Sequence, residues 1–271
     1  MTKLLAVLGF CFWSFLAQAE DAQQPSFVTD AMLVNVFTHD TRAPITNASA
    51  PWSAIGKLMM PGGNSYCTAT LIARNIILTA AHCLMNNGAF VKGDYEFYPR
   101  YANGSAGANS SINYFWWGTT TPDKNRGQDW ALGRLDTPLG DTFGWMGVKS
   151  MTGPELLADR HYYTGAYNGD LQDGNVATWE KNFTFVSYNS ELGFLLHNGD
   201  TSRGSSGAAI FYYEDDTKPD STNYVVAVNV AEYRDNGDST LIGIPFTLNH
   251  ANIAVPSAAF YPTFLQAKDS K

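Results

Sequence analysis

An all-β fold, barrel or sandwich, is the architecture this sequence predicts, and three observations carry the prediction. Short runs rich in β-branched and aromatic residues alternate at period two and recur at regular spacing. The chain has 24 Gly and 12 Pro to turn between them, and aromatics make up 14% of its residues. No stretch before the C-terminal end has the apolar repeat of an amphipathic helix of about ten residues or more.

Taken in order, residues 1–19 read as a signal peptide. Lys3 gives a positive start, Leu4 to Leu16 is apolar, and Ala17-Gln18-Ala19 has the small-x-small form of a cleavage site. The apolar run is shorter than the roughly 20 residues of a membrane span, so cleavage before Glu20 and export are expected, with a retained anchor as the alternative. Residues 20–40 form a propeptide or N-terminal strap, in which Ala31 to Phe37 has the composition of one more strand. Residues 41–140 then hold strands at Ala54–Met60, Tyr66–Ile72, Asn75–Thr79, Tyr95–Tyr98, Ile112–Trp117 and Trp130–Leu135, with a loop over Ala102–Ser111. The turn cluster Pro138-Leu139-Gly140-Asp141 marks a boundary. Residues 141–271 continue with a helical turn near Glu155–Ala158. Strands follow at His161–Gly165, Asn175–Trp179, Phe183–Tyr188, Phe194–Leu196, Ala208–Tyr213, Tyr224–Val230 and Thr240–Pro245. Ser257–Ala267 reads as a weak helix broken by Pro262.

Bulk properties narrow the function. Hydrophobic residues make up 45% and charged residues 15%, a globular balance. A net charge of −8 leaves no basic face for phosphates, so nucleic acid is not an expected partner. After signal removal no long apolar run remains, which argues against stable membrane association and for a monomer that is secreted to the periplasm or beyond. Of three cysteines, Cys11 leaves with the signal. Cys67 and Cys83 then form an even pair in an oxidising compartment, and bridging them is worth roughly 3 kcal/mol. Two buried free thiols are the alternative. Sequons at Asn47, Asn103, Asn109 and Asn182 matter only in a glycosylating host. Asp235-Asn236-Gly237-Asp238-Ser239 is a hairpin turn before it is a calcium loop, because no Glu follows at the required spacing. No cofactor or metal is expected.

A serine hydroxyl needs a base, and the base needs a carboxylate to fix its tautomer. Of the five histidines, only His82 ends a strand among small residues, in Thr79-Ala80-Ala81-His82-Cys83. Asp129 leads into the apolar run Trp130-Ala131-Leu132, where a buried carboxylate demands a partner. Taken alone, it equally caps a turn. Ser206 lies in Gly204-Ser205-Ser206-Gly207, where glycine frees the backbone to aim the Gly204 and Ser206 amides at an oxyanion hole. A flexible Ser/Gly loop is the plainer reading of that stretch. The chain order His, Asp, Ser differs from the Ser, Asp, His order of α/β-hydrolases.

With these motifs in hand, the chain resembles chymotrypsin-fold, trypsin-like serine proteases, and most of all the bacterial glutamyl-endopeptidase-like branch. The likeness runs from about Arg42 to about Thr247. It includes Cys67-Thr68-Ala69-Thr70-Leu71-Ile72, the His82 and Asp129 motifs, Gly165-Ala166-Tyr167-Asn168-Gly169-Asp170, and Asp200-Thr201 before Gly204-Ser205-Ser206-Gly207. The resemblance implies two perpendicular six-stranded Greek-key β-barrels with the active site in the cleft between them. The first would carry His82 and Asp129, the second Ser206. It implies a serine endopeptidase acting on a peptide or protein through an acyl-enzyme. An inert protease homologue that binds or regulates, and an esterase on the same fold, are the other readings. The substrate pocket would be walled by Asp200, Thr201, Asn229, Val230 and Ala231. Two departures stand out. Ser205 replaces the aspartate that pairs with a freed N-terminus in the digestive enzymes, and Asn229 replaces the histidine that reads glutamate. An Asp200 at the pocket base would favour Arg or Lys, and one turned into a hydrogen-bond network would leave Thr201 and Asn229 to line a polar pocket.

Overall fold

The structure is a computed structural model describing residues 34–158, 160–215, 217–218, 222–234 and 241–270. The signal peptide, most of the strap before Val34, Cys11 and the Asp235–Ser239 turn lie outside the described residues.

The first barrel closes on itself. Its strands run Ala131–Leu135, Ile76–Thr79, Tyr66–Ala73, Ile55–Met59, Glu96–Pro99 and Ser110–Trp117, and the last pairs back onto the first. Closure removes every free edge. Leu58, Leu71, Ile77 and Phe97 share one face of these strands and are fully buried, as the registers and the alternation of side chains along a strand place them.

The second half is a nine-stranded sheet. Its order is Phe185–Asn189, Phe194–His197, His250–Pro256, Asn223–Arg234, Ala209–Tyr213, Tyr162–Ala166, Thr178–Phe183 and Ala43–Pro44, with Gly147–Val148 beside Asn223–Arg234. Thr178–Phe183 and Phe185–Asn189 sit toward opposite ends of this order, yet only Thr184 separates them in sequence. The sheet must therefore curl round to bring them together. Counted as one bent strand, they leave six around the second barrel, the two-barrel fold the resemblance implied.

Two segments differ from the sequence expectation, and the strand expected in the strap is present. His250–Pro256, given no element from the sequence, is a strand between Phe194–His197 and Asn223–Arg234, with Ala251, Ala254 and Val255 fully buried. Val34–Phe37 is built into the fold: it runs antiparallel to Thr201–Ser202 and parallel to Leu241–Ile244. Asn35 and Val36 are buried, and the Asn35 amide nitrogen donates to the Ala251 carbonyl at 3.0 Å. At the other end Pro262 does not break a helix. It lies in the first turn of Tyr261–Asp269, where a missing N–H costs nothing. That helix packs back on the first barrel, with Phe260 and Trp130 ring centroids 6.2 Å apart.

Candidate active site

Antiparallel pairing brings His82 and Asp129 together. Ile76–Thr79 and Ala131–Leu135 are neighbours with Thr79 opposite Ala131, so the end of one lies beside the start of the other. After Thr79 the chain turns through a 3-10 helix over Ala81–Cys83, which presents His82. Before Ala131 a second 3-10 helix, Arg126–Gln128, delivers Asp129. The Asp129 carboxylate is fully buried. One oxygen accepts the His82 backbone N–H at 2.9 Å, and the other accepts the ring Nδ1–H, also at 2.9 Å. Arg126 adds a longer contact to that second oxygen at 3.4 Å. With Nδ1 donating, Nε2 is left as the basic nitrogen.

The disulfide fixes the far side of this turn. Cys67 and Cys83 are bonded, tying the Tyr66–Ala73 strand to the residue after His82. The Cys67 and Cys83 sulfurs and a His82 nitrogen lie within 4.8 Å of one another, but sulfurs spent in a disulfide offer no thiolate to a metal.

Ser206 comes from the second barrel, in the turn before Ala209–Tyr213. It is half-buried, whereas Ser205 is 1% exposed and its hydroxyl accepts from Asn229 at 3.1 Å. Exposure therefore separates the two serines. Gly204 and Gly207 have φ of 94° and 84°. At Gly204 a side chain would also run into the Tyr167 carbonyl and the Tyr66 ring. The loop is anchored from the first barrel by Thr68: its hydroxyl donates to the Gly204 carbonyl at 2.7 Å and its N–H to the Ser206 carbonyl at 2.9 Å. The Ser205, Gly207 and Ala208 amides all donate to backbone carbonyls. Among the described residues the Gly204 and Ser206 amides do not. One strand, Tyr66–Ala73, thus bonds covalently to the His82 turn and by hydrogen bonds to the Ser206 turn. Sequence reasoning missed Thr68 and Tyr66, although both flank the cysteine it singled out.

His82, Gly204 and Ser206 line one cavity of about 310 Å³, with Val230 and Ala231 on its wall and Arg126, Arg203 and Glu232 at its margin. Asp200, Thr201 and Asn229, expected to line the substrate pocket with them, do not line this cavity. Each is nearly fully buried. Asn229 bridges inward: its Nδ2 donates to the Ser205 carbonyl and hydroxyl, and its Oδ1 accepts from His197 Nε2 at 3.1 Å. Complete burial pulls His197 down to about 4, so it is a neutral structural ring.

Asp200 is turned into the strap. Its carboxylate accepts the Phe37 N–H at 2.6 Å, and its own N–H donates to Glu180 at 2.6 Å. Burial pushes both acids up, Asp200 to about 6 and Glu180 to about 9, with the Asp200 charge adding to the rise of Glu180. A carboxyl whose folded pKa lies above its unfolded one gives stability that is present at low pH and lost as pH rises through the folded value. The melting temperature is therefore expected to fall between about pH 5 and about pH 9, and Glu180→Gln to flatten that fall. Thermal unfolding across the range is the check, and an unchanged slope in Glu180→Gln would contradict it.

The family model described as Trypsin matches residues 41–248. Serine protease 23 of Mus musculus is 28% identical over 170 residues, which covers 54% of this chain and 42% of that protein. The Homo sapiens protein of the same name is 27% identical over the same length. The chain thus spans less than half the length of the curated relatives it matches. Among solved structures, a Glu endopeptidase in complex with MPD is 24% identical with a TM-score of 0.68, covering 87% of this chain and 100% of that one. The protease Anisep from Arthrobacter nicotinovorans is 21% identical with a TM-score of 0.61, covering 82% and 99%. These structures share the fold. Among the described residues no helix is long and apolar enough to cross a membrane.

Proposed function

The chain belongs to the trypsin family of serine proteases, and from that premise we propose that it is a secreted serine endopeptidase in which Ser206 attacks, His82 moves the proton and Asp129 orients His82. The observation that carries the reading is the buried Asp129 carboxylate clamping both the backbone and the ring of His82, beside a half-exposed, glycine-flanked Ser206 on the same cavity.

The steps follow from these groups. His82 Nε2 takes the Ser206 hydroxyl proton as the oxygen bonds to the scissile carbonyl carbon. Negative charge moves to the carbonyl oxygen, where the Gly204 and Ser206 amides stabilise it. The imidazolium returns the proton to the leaving amine, and an acyl-enzyme remains. Water then repeats the sequence, with His82 as its base and Ser206 as the leaving group. Asp129 stays ionised throughout and stabilises the imidazolium. The disulfide and the processing signal support export.

Asp200, held by the strap, is not available as a pocket-base anion for a basic side chain. A peptide-library cleavage profile on the processed protein tests both levels. Turnover with no enrichment of Arg or Lys before the cut is the expected result. A strong Arg or Lys preference lost in Asp200→Asn would return Asp200 to the pocket. Ester turnover without any peptide turnover would favour an esterase.

A further inference from the structure

We propose that Lys57 is a positioning residue for the oxyanion loop: its ammonium, caged by tyrosines at the seam between the barrels, holds the Tyr66 ring against Gly204. The inference rests on the reading of the Gly204 amide as an oxyanion donor.

Lys57 is a single charge in an apolar strand, Ile55–Met59, and it is 4% exposed. Its Nζ lies 3.8 Å from the Tyr66 ring centroid, 4.6 Å from Tyr101 and 5.9 Å from Tyr167. It donates to the Gly174 carbonyl at 2.9 Å. Among the described residues no carboxylate pairs with it. A buried ammonium without a counter-ion is costly, and ring faces plus one carbonyl are modest compensation. Burial duly lowers its pKa from the ordinary lysine value. Apolar packing would serve this strand at least as well, so stability does not explain the lysine.

Position does. Lys57 and Tyr66 belong to the first barrel, while Gly174, Tyr167 and Gly204 belong to the second. The Tyr66 ring fills the space where a side chain on Gly204 or on Gly174 would stand. Its hydroxyl points to the Asp173 carbonyl at 3.5 Å. Tyr66 also lines the cavity that holds His82 and Ser206, so a ring released from Lys57 has open space to swing into. The ammonium thus restrains a side chain packed against both Gly204 and Gly174. Thr68 holds the carbonyl of Gly204, and Tyr66 backs the residue itself.

The test compares wild type with Lys57→Met, Lys57→Arg and Tyr101→Leu in the processed, disulfide-bonded protein. Steady-state turnover of one peptide substrate is measured together with binding of a peptide boronate, whose adduct with serine places an oxygen in the oxyanion hole. Lys57→Met is expected to lower kcat and boronate affinity by the same factor, about tenfold, with KM nearly unchanged. Its melting temperature should hold or rise, so activity and stability part ways. Lys57→Arg keeps a cation over the rings and should restore most of both. Tyr101→Leu removes one cage wall away from the cavity and should give a smaller loss in the same two readouts, which keeps the test decisive if Lys57→Met does not fold. A folded Lys57→Met with unchanged kcat and boronate affinity, or an unaffected Tyr101→Leu where Lys57→Met does not fold, overturns the proposal. A wild type that neither turns over nor binds boronate overturns the serine-protease reading, and this inference with it.

Discussion

Asp129→Asn is expected to lower kcat by about 10⁴-fold while the protein still folds. The carboxylate makes two bonds to one residue, to the His82 N–H and to the ring Nδ1–H. An asparagine keeps the first through its oxygen. Its amide nitrogen then faces Nδ1 as a donor, so Nδ1 must become an acceptor and the ring proton moves to Nε2. A protonated Nε2 cannot take the Ser206 proton, and no buried charge remains to stabilise an imidazolium. Shape is conserved, so the melting temperature should change far less than the rate. Stopped-flow and steady-state hydrolysis of one substrate, with thermal unfolding on the same sample, separate these effects. An Asp129→Asn protein within tenfold of wild type would mean that the Asp129–His82 pair is a structural cap.

Gly204→Ala is expected to cost at least about 100-fold in kcat, with loss of stability as well. The backbone there has φ of 94°, which an alanine occupies only with strain. The new methyl would also meet the Tyr167 carbonyl and the Tyr66 ring. Relief requires the loop to move, and the loop carries both amides assigned to the oxyanion. Thr68 resists that movement through its bonds to Gly204 and Ser206. The check is kcat/KM against an ester and a peptide, because loss of oxyanion stabilisation slows acylation by both. A near-normal rate would show that Gly204 contributes space alone.

Most of the candidate site was legible in the sequence because its residues lie in short contiguous motifs. His82, Asp129 and Ser206 each lie beside a strand terminus, and small or turn-forming neighbours announce that locally. The disulfide was legible from parity and compartment. What stayed hidden depends on residues far apart in sequence. Asp200 was open between two roles because its orientation is set by the Phe37 amide, 163 residues away. Asn229 looked like a pocket wall, yet it satisfies a buried histidine and the Ser205 backbone, a requirement only the fold creates. The His250–Pro256 strand escaped notice because a short apolar run bounded by Asn252 and Pro256 carries a weak alternation signal. Lys57 did carry a signal, a lone charge among apolar strand residues, but its tyrosine cage assembles from both barrels.

The proposed reaction depends on Ser206 acting as a nucleophile activated by His82. Its most direct measurement is covalent labelling of the processed, disulfide-bonded protein with a fluorophosphonate, followed by peptide mass mapping. One adduct per chain is expected, on Ser206, absent from Ser206→Ala and strongly slowed in His82→Ala. No adduct in a folded wild-type sample, or an adduct on Ser205 that persists in Ser206→Ala, would contradict it.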